Sequence, residues 1–142
     1  MLKKIFLASD HGGYRLKELV KDFLIKKKQP IEDLGCFSLD AVDYPDYAKL
    51  LSDKLKNDLN SQGILFCGTG IGISMAANRY SHIRAALCTT AEMASKSRKH
   101  NNANVLALGG RIITDSLAMD IVNEFLNTDF EAGRHSLRVN KI

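Results

Sequence analysis

One stretch of the sequence, ILFCGTGIGISMAANR at positions 64–79, joins a cysteine to a glycine-rich turn. Its first three residues predict a buried strand that ends at Cys67, and glycine then occupies every second position from 68 to 72. Such a backbone turns tightly and points several N–H groups into one concavity, and the helix that follows adds its positive dipole end. We expect these amides to bind a phosphate, a carboxylate or a developing oxyanion.

Three known motifs do not fit this spacing. A dinucleotide fingerprint needs G-x-G-x-x-G and an acidic residue about 20 positions later. Here the pattern is G-x-G-x-G, and the next predicted strand ends in Cys88-Thr89-Thr90, without a carboxylate. A Walker loop needs Gly-Lys-Ser/Thr, which is absent, and a cysteine phosphatase needs an arginine six places beyond its thiol, where this chain has Ile73.

Cys67 has two interpretations. A free cysteine that closes a strand is usually a small buried core residue, and we assign Cys36 and Cys88 to that role. Cys67 differs because the expected amide donors and a helix N-terminus surround it. Such surroundings lower the pKa of a thiol and make the thiolate available as a base or nucleophile. Spacing alone leaves both interpretations open.

Other candidates for chemistry have ordinary explanations when each is taken singly. Asp10 is a candidate N-cap with His11 in a solvated first turn, and His100 belongs to a candidate helix C-cap. The arginines near the C-terminus are candidates for surface charge. Together with the thiol and the amides of the turn, the two histidines and three arginines form a set suited to a small anionic substrate, namely His11, His100, Arg111, Arg134 and Arg138.

The elements that must position these residues alternate between strand and helix. Strands are predicted at 5–8, 30–35, 63–67, 83–87 and 105–108. Helices are predicted at 14–27, 71–79, 92–99 and 115–126. A further helix is predicted to follow a loop across 43–47, and the tail is expected to end in a helix. This order predicts a single α/β domain over 1–142, a Rossmann-like three-layer α/β/α sandwich with a five-stranded, mainly parallel sheet. Ligands bind such folds beyond the carboxyl ends of the strands.

Composition excludes several classes of protein. The chain has 142 residues and is 45% hydrophobic, with 20 Lys and Arg against 16 Asp and Glu. No basic stripe interleaved with aromatics supports nucleic-acid binding, and no apolar run approaches the roughly 20 residues that span a bilayer. Three widely spaced cysteines fit reduced thiols, and no signal peptide is recognised. We therefore expect a cytoplasmic protein.

In sum, the chain resembles the ribose-5-phosphate isomerase B family and its relatives, the galactose-6-phosphate isomerase subunits. The matching stretches follow one another along nearly the whole chain: SDHGGY (9–14), DLG (33–35), VDYPDYA (42–48), GILFCGTGIGISMAANR (63–79), RAALC (84–88), RKHNNANVLALGGR (98–111) and FEAGRHSLRVNKI (130–142). The resemblance implies interconversion of D-ribose 5-phosphate and D-ribulose 5-phosphate through ring opening and an enediolate, with no cofactor and no metal. It also implies a homodimer. Association of two such dimers would give a tetramer.

The resemblance also assigns roles. Cys67 matches the catalytic base, His100 the residue that opens the furanose ring, and Thr69 a residue that assists; Asp10 is a further candidate for moving hydroxyl protons. The C-terminal tail, about residues 130–142, is expected to contribute to the phosphate site. The substrate-binding positions are Asp10, His11, Tyr44, Gly68, Thr69, Gly70, Ile71, Gly72, Asn101, Arg111, Arg134 and Arg138.

The resemblance places each active site at the subunit interface, with His100, Asn101 and Arg111 coming from the partner. This chain departs from the family at Asn102, where the family often has Asp, and at Ala132, where it often has Gly. Two other functions stay open. One is isomerisation of a six-carbon sugar phosphate, allose 6-phosphate or galactose 6-phosphate, and the other is non-catalytic phosphate or nucleotide binding.

Overall fold

The structure is a computed structural model that describes residues 2–142; Met1, the first residue of the predicted domain, lies outside the described residues. The strands are β1 (Ile5–Ser9), β2 (Ile31–Asp33), β3 (Gln62–Cys67), β4 (Ala85–Leu87) and β5 (Val105–Gly109). The helices are α1 (Tyr14–Lys26), α2 (Tyr44–Asn57), α3 (Ile71–Ala77), α4 (Ala91–Asn101), α5 (Asp115–Leu126) and α6 (Arg134–Val139).

The strands form one parallel sheet in the order β2-β1-β3-β5-β4. At the amino ends of the strands Ile5 of β1 pairs with Gln62 of β3, and at the carboxyl ends Cys67 of β3 pairs with Gly109 of β5. The carboxyl ends of β1, β3 and β5 therefore lie side by side. The predicted fold class, a five-stranded α/β sandwich, is confirmed.

The sheet separates two hydrophobic cores. Along β1, Leu7 faces the core formed with α1, α4 and α5, whereas Phe6 and Ala8 face the core formed with α2 and α3. This alternation follows from the period of two in a strand. Strands covered on both faces read as continuous apolar runs, which is why β3 and β5 were recognisable in the sequence.

The prediction of a loop across 43–47 is wrong, because this segment forms the start of a helix. The helix α2 begins at Tyr44, with Asp43 as N-cap and Pro45 in the first turn. Proline fits there because the first N–H groups of a helix have no partner within the helix. The consequence for the site is that Tyr44 is held by a helix.

The largest fully buried side chain belongs to a lysine. Lys17 on α1 has no exposed surface, and its Nζ lies 2.7 and 2.8 Å from the two carboxylate oxygens of Asp33 and 3.0 Å from Glu18. Burial acts to raise the pKa of Asp33, but hydrogen bonds from Lys17, the Gly35 N–H and Lys21 outweigh it and hold that pKa below its usual value. The pair joins α1 to the end of β2.

No helix within residues 2–142 combines the length and the apolar character that a bilayer crossing requires.

We predict that Asp33→Ala lowers the free energy of unfolding by about 3 kcal/mol, because it leaves a buried ammonium with too little compensation. The contribution of Asp33 is complete above the ordinary carboxyl pKa of about 3.9 and is lost as the pH falls through its lower folded pKa. Urea unfolding of both proteins at several pH values measures the difference, which should shrink in acid.

The matched control is Arg15→Ala, which breaks an exposed pair with Asp115. It should cost much less than Asp33→Ala, because exposed ion pairs contribute little to stability. Equal losses from the two substitutions would contradict the importance of the buried pair.

Candidate active site

The loops that follow β1, β3 and β5 are joined by backbone hydrogen bonds. The N–H of Gly110 donates to the carbonyl of Cys67 at 2.8 Å, and the N–H of Arg111 donates to the carbonyl of Gly68 at 2.9 Å. The N–H of Asp10 donates to the carbonyl of Phe66 at 3.2 Å. These bonds extend the sheet beyond its strands and fix the loops relative to one another.

Glycines allow these loops to approach without side chains between them. A Cβ at Gly13 would lie 2.4 Å from the carbonyl carbon of Phe66, and one at Gly109 would lie 2.5 Å from the carbonyl oxygen of Thr69. Gly70 has φ +81°, the left-handed region that favours glycine. The predicted glycine-rich turn is therefore in direct backbone contact with the end of β5.

The thiol of Cys67 accepts a hydrogen bond from this turn. The N–H of Gly70 donates to Sγ at 3.0 Å, and the residue is 4% exposed. Cys36 and Cys88 are just as buried, as predicted. For Cys88, burial raises the pKa of the thiol to about 11, and a hydrogen bond from Ser97 only partly opposes this rise. Cys67 differs from Cys88 because an amide dipole points at its sulfur and stabilises negative charge there.

Two further amides of the turn remain available. Between residues 2 and 142, the N–H groups of Gly68 and Thr69 donate to no acceptor of the chain. The Thr69 hydroxyl oxygen accepts from the N–H of Ile71 at 3.1 Å, so it retains a proton to donate. Uncommitted donors next to a thiol suit an oxyanion that forms beside it.

Asp10 and His11 lie at the end of β1, next to this turn. The carboxylate of Asp10 accepts from the N–H of Gly13 at 3.0 Å, while Gly13 is the N-cap of α1, so Asp10 closes the loop and is not the N-cap. The Nδ1 atom of His11 accepts from the N–H of Val42 at 3.2 Å. A neutral His11 ring therefore carries its proton on Nε2.

Tyr44 and Arg111 complete this half of the site. The Tyr44 ring passes so close to Gly72 that a Cβ there would lie 2.7 Å from the ring. A Cβ at Gly68 would lie 3.1 Å from Nη1 of Arg111, so Arg111 lies against the turn of its own chain and is grouped with it here. That the partner supplies Arg111, as the resemblance implies, stays a prediction. We call this set the thiol cleft, formed by Asp10, His11, Tyr44, Cys67, Gly68, Thr69, Gly70, Ile71, Gly72 and Arg111.

The other predicted site residues lie together elsewhere. His100 and Asn101 form the last turn of α4 and Arg134 and Arg138 lie on α6, and the two helices enclose a groove of about 420 Å³. We call it the basic groove, lined by His100, Asn101, Arg134, His135, Arg138, Val139 and Ile142.

Topology places the basic groove at the opposite edge of the sheet from the thiol cleft. The helix α4 starts beyond the carboxyl end of β4 and ends just before Val105, the first residue of β5, whereas Cys67 pairs with Gly109 at its last. These two positions of β5 are about 13 Å apart at the rise of a parallel strand. One chain therefore does not bring Cys67 and His100 into one site.

Two ionisable residues without a predicted role lie at the basic groove: His135 belongs to its lining, and Glu131 lies beside it. The ring of His135 stacks on that of His100, with 4.3 Å between centroids, and the Glu131 carboxylate lies 3.8 Å from Nε2 of each. Burial, followed by the charges of His100 and the arginines, lowers the pKa of His135 against the pull of Glu131. A signal was present, since Glu131 and His135 are four residues apart in a matching stretch.

These three side chains also form the group within residues 2–142 whose ligand atoms lie near enough for a metal ion, all within 4.8 Å of one another. The two imidazole planes are only 16° apart and stacked. Their lone pairs therefore run side by side, whereas ligation of one ion needs them to converge. The arrangement fits a stacked pair better than a metal centre.

Comparison with known proteins gives one family and close relatives. The model of the ribose/galactose isomerase family matches residues 5–142. Ribose-5-phosphate isomerase B of Escherichia coli is 40% identical over 99% of this chain and 95% of its own. The crystal structure of a ribose 5-phosphate isomerase of Thermotoga maritima is 51% identical, with TM-score 0.96 over 98% and 96% of the two chains. Ribose-5-phosphate isomerase B of Mycoplasma genitalium, solved with bound ribulose 5-phosphate, is 46% identical, with TM-score 0.95 over 99% and 94%.

Proposed function

This chain belongs to the ribose/galactose isomerase family, and we propose that it is an enzyme that interconverts D-ribose 5-phosphate and D-ribulose 5-phosphate, with Cys67 as the base. The observation that carries the proposal is the thiol of Cys67, which accepts the Gly70 N–H beside the uncommitted amides of Gly68 and Thr69. Relatives that the match covers over 95% and 96% of their own length and that are named for this activity support it.

The chemistry requires a base and an oxyanion site at adjacent atoms. Moving the carbonyl from C1 to C2 removes a weakly acidic proton from C2 and returns one to C1, through an enediolate. The Cys67 thiolate takes and returns the proton. The amides of the turn stabilise the negative oxygen, and loss of one such donor typically lowers kcat by about 10²–10³.

Ring opening requires a second pair of groups, because the closed sugar has no carbonyl. An imidazole exchanges protons near neutral pH, so His100 suits protonation of the ring oxygen. Asp10 and the Thr69 hydroxyl lie in the thiol cleft and suit the transfer of the proton of the anomeric hydroxyl. His100 lies in the basic groove, so ring opening draws on both parts of the site.

The phosphate end of the substrate fits the arginines. Arg134 and Arg138 line the basic groove, and guanidinium groups bind phosphate through paired, charge-assisted hydrogen bonds. From the thiol cleft, the Nε2–H of a neutral His11 and the guanidinium of Arg111 add donors. Holding the phosphate fixes the distance from it to C2 and so places C2 at the thiol.

Two copies of the chain are needed to assemble this site. The thiol cleft and the basic groove lie at opposite edges of one sheet, and we infer that the thiol cleft of one copy faces the basic groove of a second in a homodimer. Apolar side chains lie exposed beside both parts: Ile71 and Met75 on α3 are 47% and 65% exposed, and Leu137 on α6 is 67% exposed. A dimer interface would cover such residues.

We expect the purified protein to isomerise ribose 5-phosphate with no added cofactor, measured by formation of the ketose. Allose 6-phosphate and galactose 6-phosphate serve as comparison substrates, because one more carbon tests the length of the site. Preference for a six-carbon sugar would leave the proposed mechanism in place and change the assigned substrate. Activity on none of the three would overturn the proposal in favour of simple phosphate binding.

Cys67→Ala should lower kcat by at least about 10²-fold, because it removes the base, while the affinity for ribose 5-phosphate measured by calorimetry stays close to that of the wild type. The matched control is Cys88→Ala, which removes an equally buried thiol outside the thiol cleft and should leave kcat near the wild-type value. Near-full turnover in Cys67→Ala would reject the assignment of the base.

The shared site predicts which inactive variants rescue each other. Cys67→Ala and His100→Ala subunits, unfolded and refolded together, should recover about a quarter of wild-type activity, because half of the dimers are mixed and each carries one intact site. Cys67→Ala with Arg138→Ala should behave in the same way.

Pairs of variants from one part of the site are the controls. Cys67→Ala with Arg111→Ala, or His100→Ala with Arg138→Ala, should recover nothing beyond the activity of the separate variants, since both sites of a mixed dimer stay defective. Rescue in every combination, or in none, would contradict the division between thiol cleft and basic groove.

A further inference from the structure

A small pocket outside both parts of the proposed site carries positive charge. It lies where the chain enters β1, β3, β4 and β5, at the amino edge of the sheet, and has a volume of about 140 Å³. The lining, drawn from residues 2–142, contains three cations and no carboxylate: Lys3, Arg84 and Arg98, with Leu59, Asn60, Ser61, Gln62, Asn102 and Asn104. We call it the amino-edge pocket.

Asn102 holds the two guanidinium groups next to each other. Its backbone carbonyl accepts from Nε of Arg84 at 2.7 Å, and its side-chain oxygen accepts from Nη1 of Arg98 at 3.2 Å. Arg98 also donates from Nη1 to the carbonyl of Ala103 and from Nε to that of Thr128. Both arginines are therefore fixed by the backbone, without a direct ion pair.

Several donors of these arginines stay unused. Among the described residues, both terminal nitrogens of Arg84 and Nη2 of Arg98 donate to no group of the chain. No fully buried side-chain nitrogen or oxygen among residues 2–142 lacks a partner, so each of these nitrogens keeps some accessible surface. Three N–H-bearing atoms on two fixed guanidinium groups are available to a ligand.

The positive charge here is poorly compensated. Burial lowers the pKa of Arg84, and burial together with the charge of Arg84 lowers that of Arg98, with Asp129 as the nearby opposing charge. Arginine stays protonated in proteins all the same. Lys17 is the contrast, because two carboxylates lie within 3.0 Å of its ammonium.

We propose that the amino-edge pocket binds a phosphoryl oxyanion, separately from the sugar-phosphate site. Two guanidinium groups match the paired oxygens of such an ion, and the ammonium of Lys3 adds a third charge. The pocket has about a third of the volume of the basic groove, which fits a phosphate group and not a whole sugar phosphate. Position 102, which holds both arginines, carries a neutral amide, so it adds no carboxylate that would neutralise them.

The test uses inorganic phosphate and the doubly substituted protein Arg134→Ala/Arg138→Ala, which lacks the proposed phosphate ligands of the basic groove. Calorimetry should still show one phosphate bound per chain, and saturating phosphate should raise Tm by roughly 3 °C. Adding Arg84→Gln should weaken this binding at least tenfold. Loss of all phosphate binding in Arg134→Ala/Arg138→Ala would overturn the amino-edge pocket and leave the proposed sugar-phosphate site intact.

Asn102→Asp is the second variant, for the case that Arg84→Gln does not fold. It places a carboxylate where Arg98 now donates to an amide oxygen. In the same background Asn102→Asp should raise Tm in phosphate-free buffer and abolish the further rise on adding phosphate. An undiminished response to phosphate in Asn102→Asp would place the bound ion elsewhere and reject the proposal.

Discussion

Direct backbone contact between the loops after β1, β3 and β5 is the constraint on which the thiol cleft depends. Glycines at 13 and 109 leave no room for a Cβ, and the bonds from Gly110 and Arg111 tie the third loop to the second. The amides near Cys67 are thus held by the sheet itself. Donors fixed in this way need no reorganisation when charge develops on a substrate, which is the main source of electrostatic catalysis.

The same constraint explains what the sequence could predict. Alternating glycines behind a strand-ending cysteine predicted a tight turn of backbone amides, so the part of the thiol cleft from Cys67 to Gly72 was readable from one short stretch. The strands were readable because both of their faces are buried. The start of α2 was not, since Tyr-Pro-Asp-Tyr suits a turn as well as a first helical turn. The contact of Tyr44 with Gly72 in the folded chain is not visible in the local sequence.

The grouping of the arginines was harder to predict for a topological reason. A motif shows which residues to expect, but it does not show which of them lie together within one chain. That depends on whether a residue follows a strand, as Arg111 does, or ends a helix, as His100 does. His135 was missed because its partner on α4 is 35 positions away, and no local period connects them.

The separation of the thiol cleft from the basic groove has an evolutionary consequence. In a pair assembled as proposed, one chain can lose its thiol and the other its imidazole while one complete centre survives. A duplicated gene could therefore divide the two duties between its copies without passing through an inactive stage. Obligate heteromers arise in this way when each copy has discarded the half that the other retains, and selection then preserves both genes.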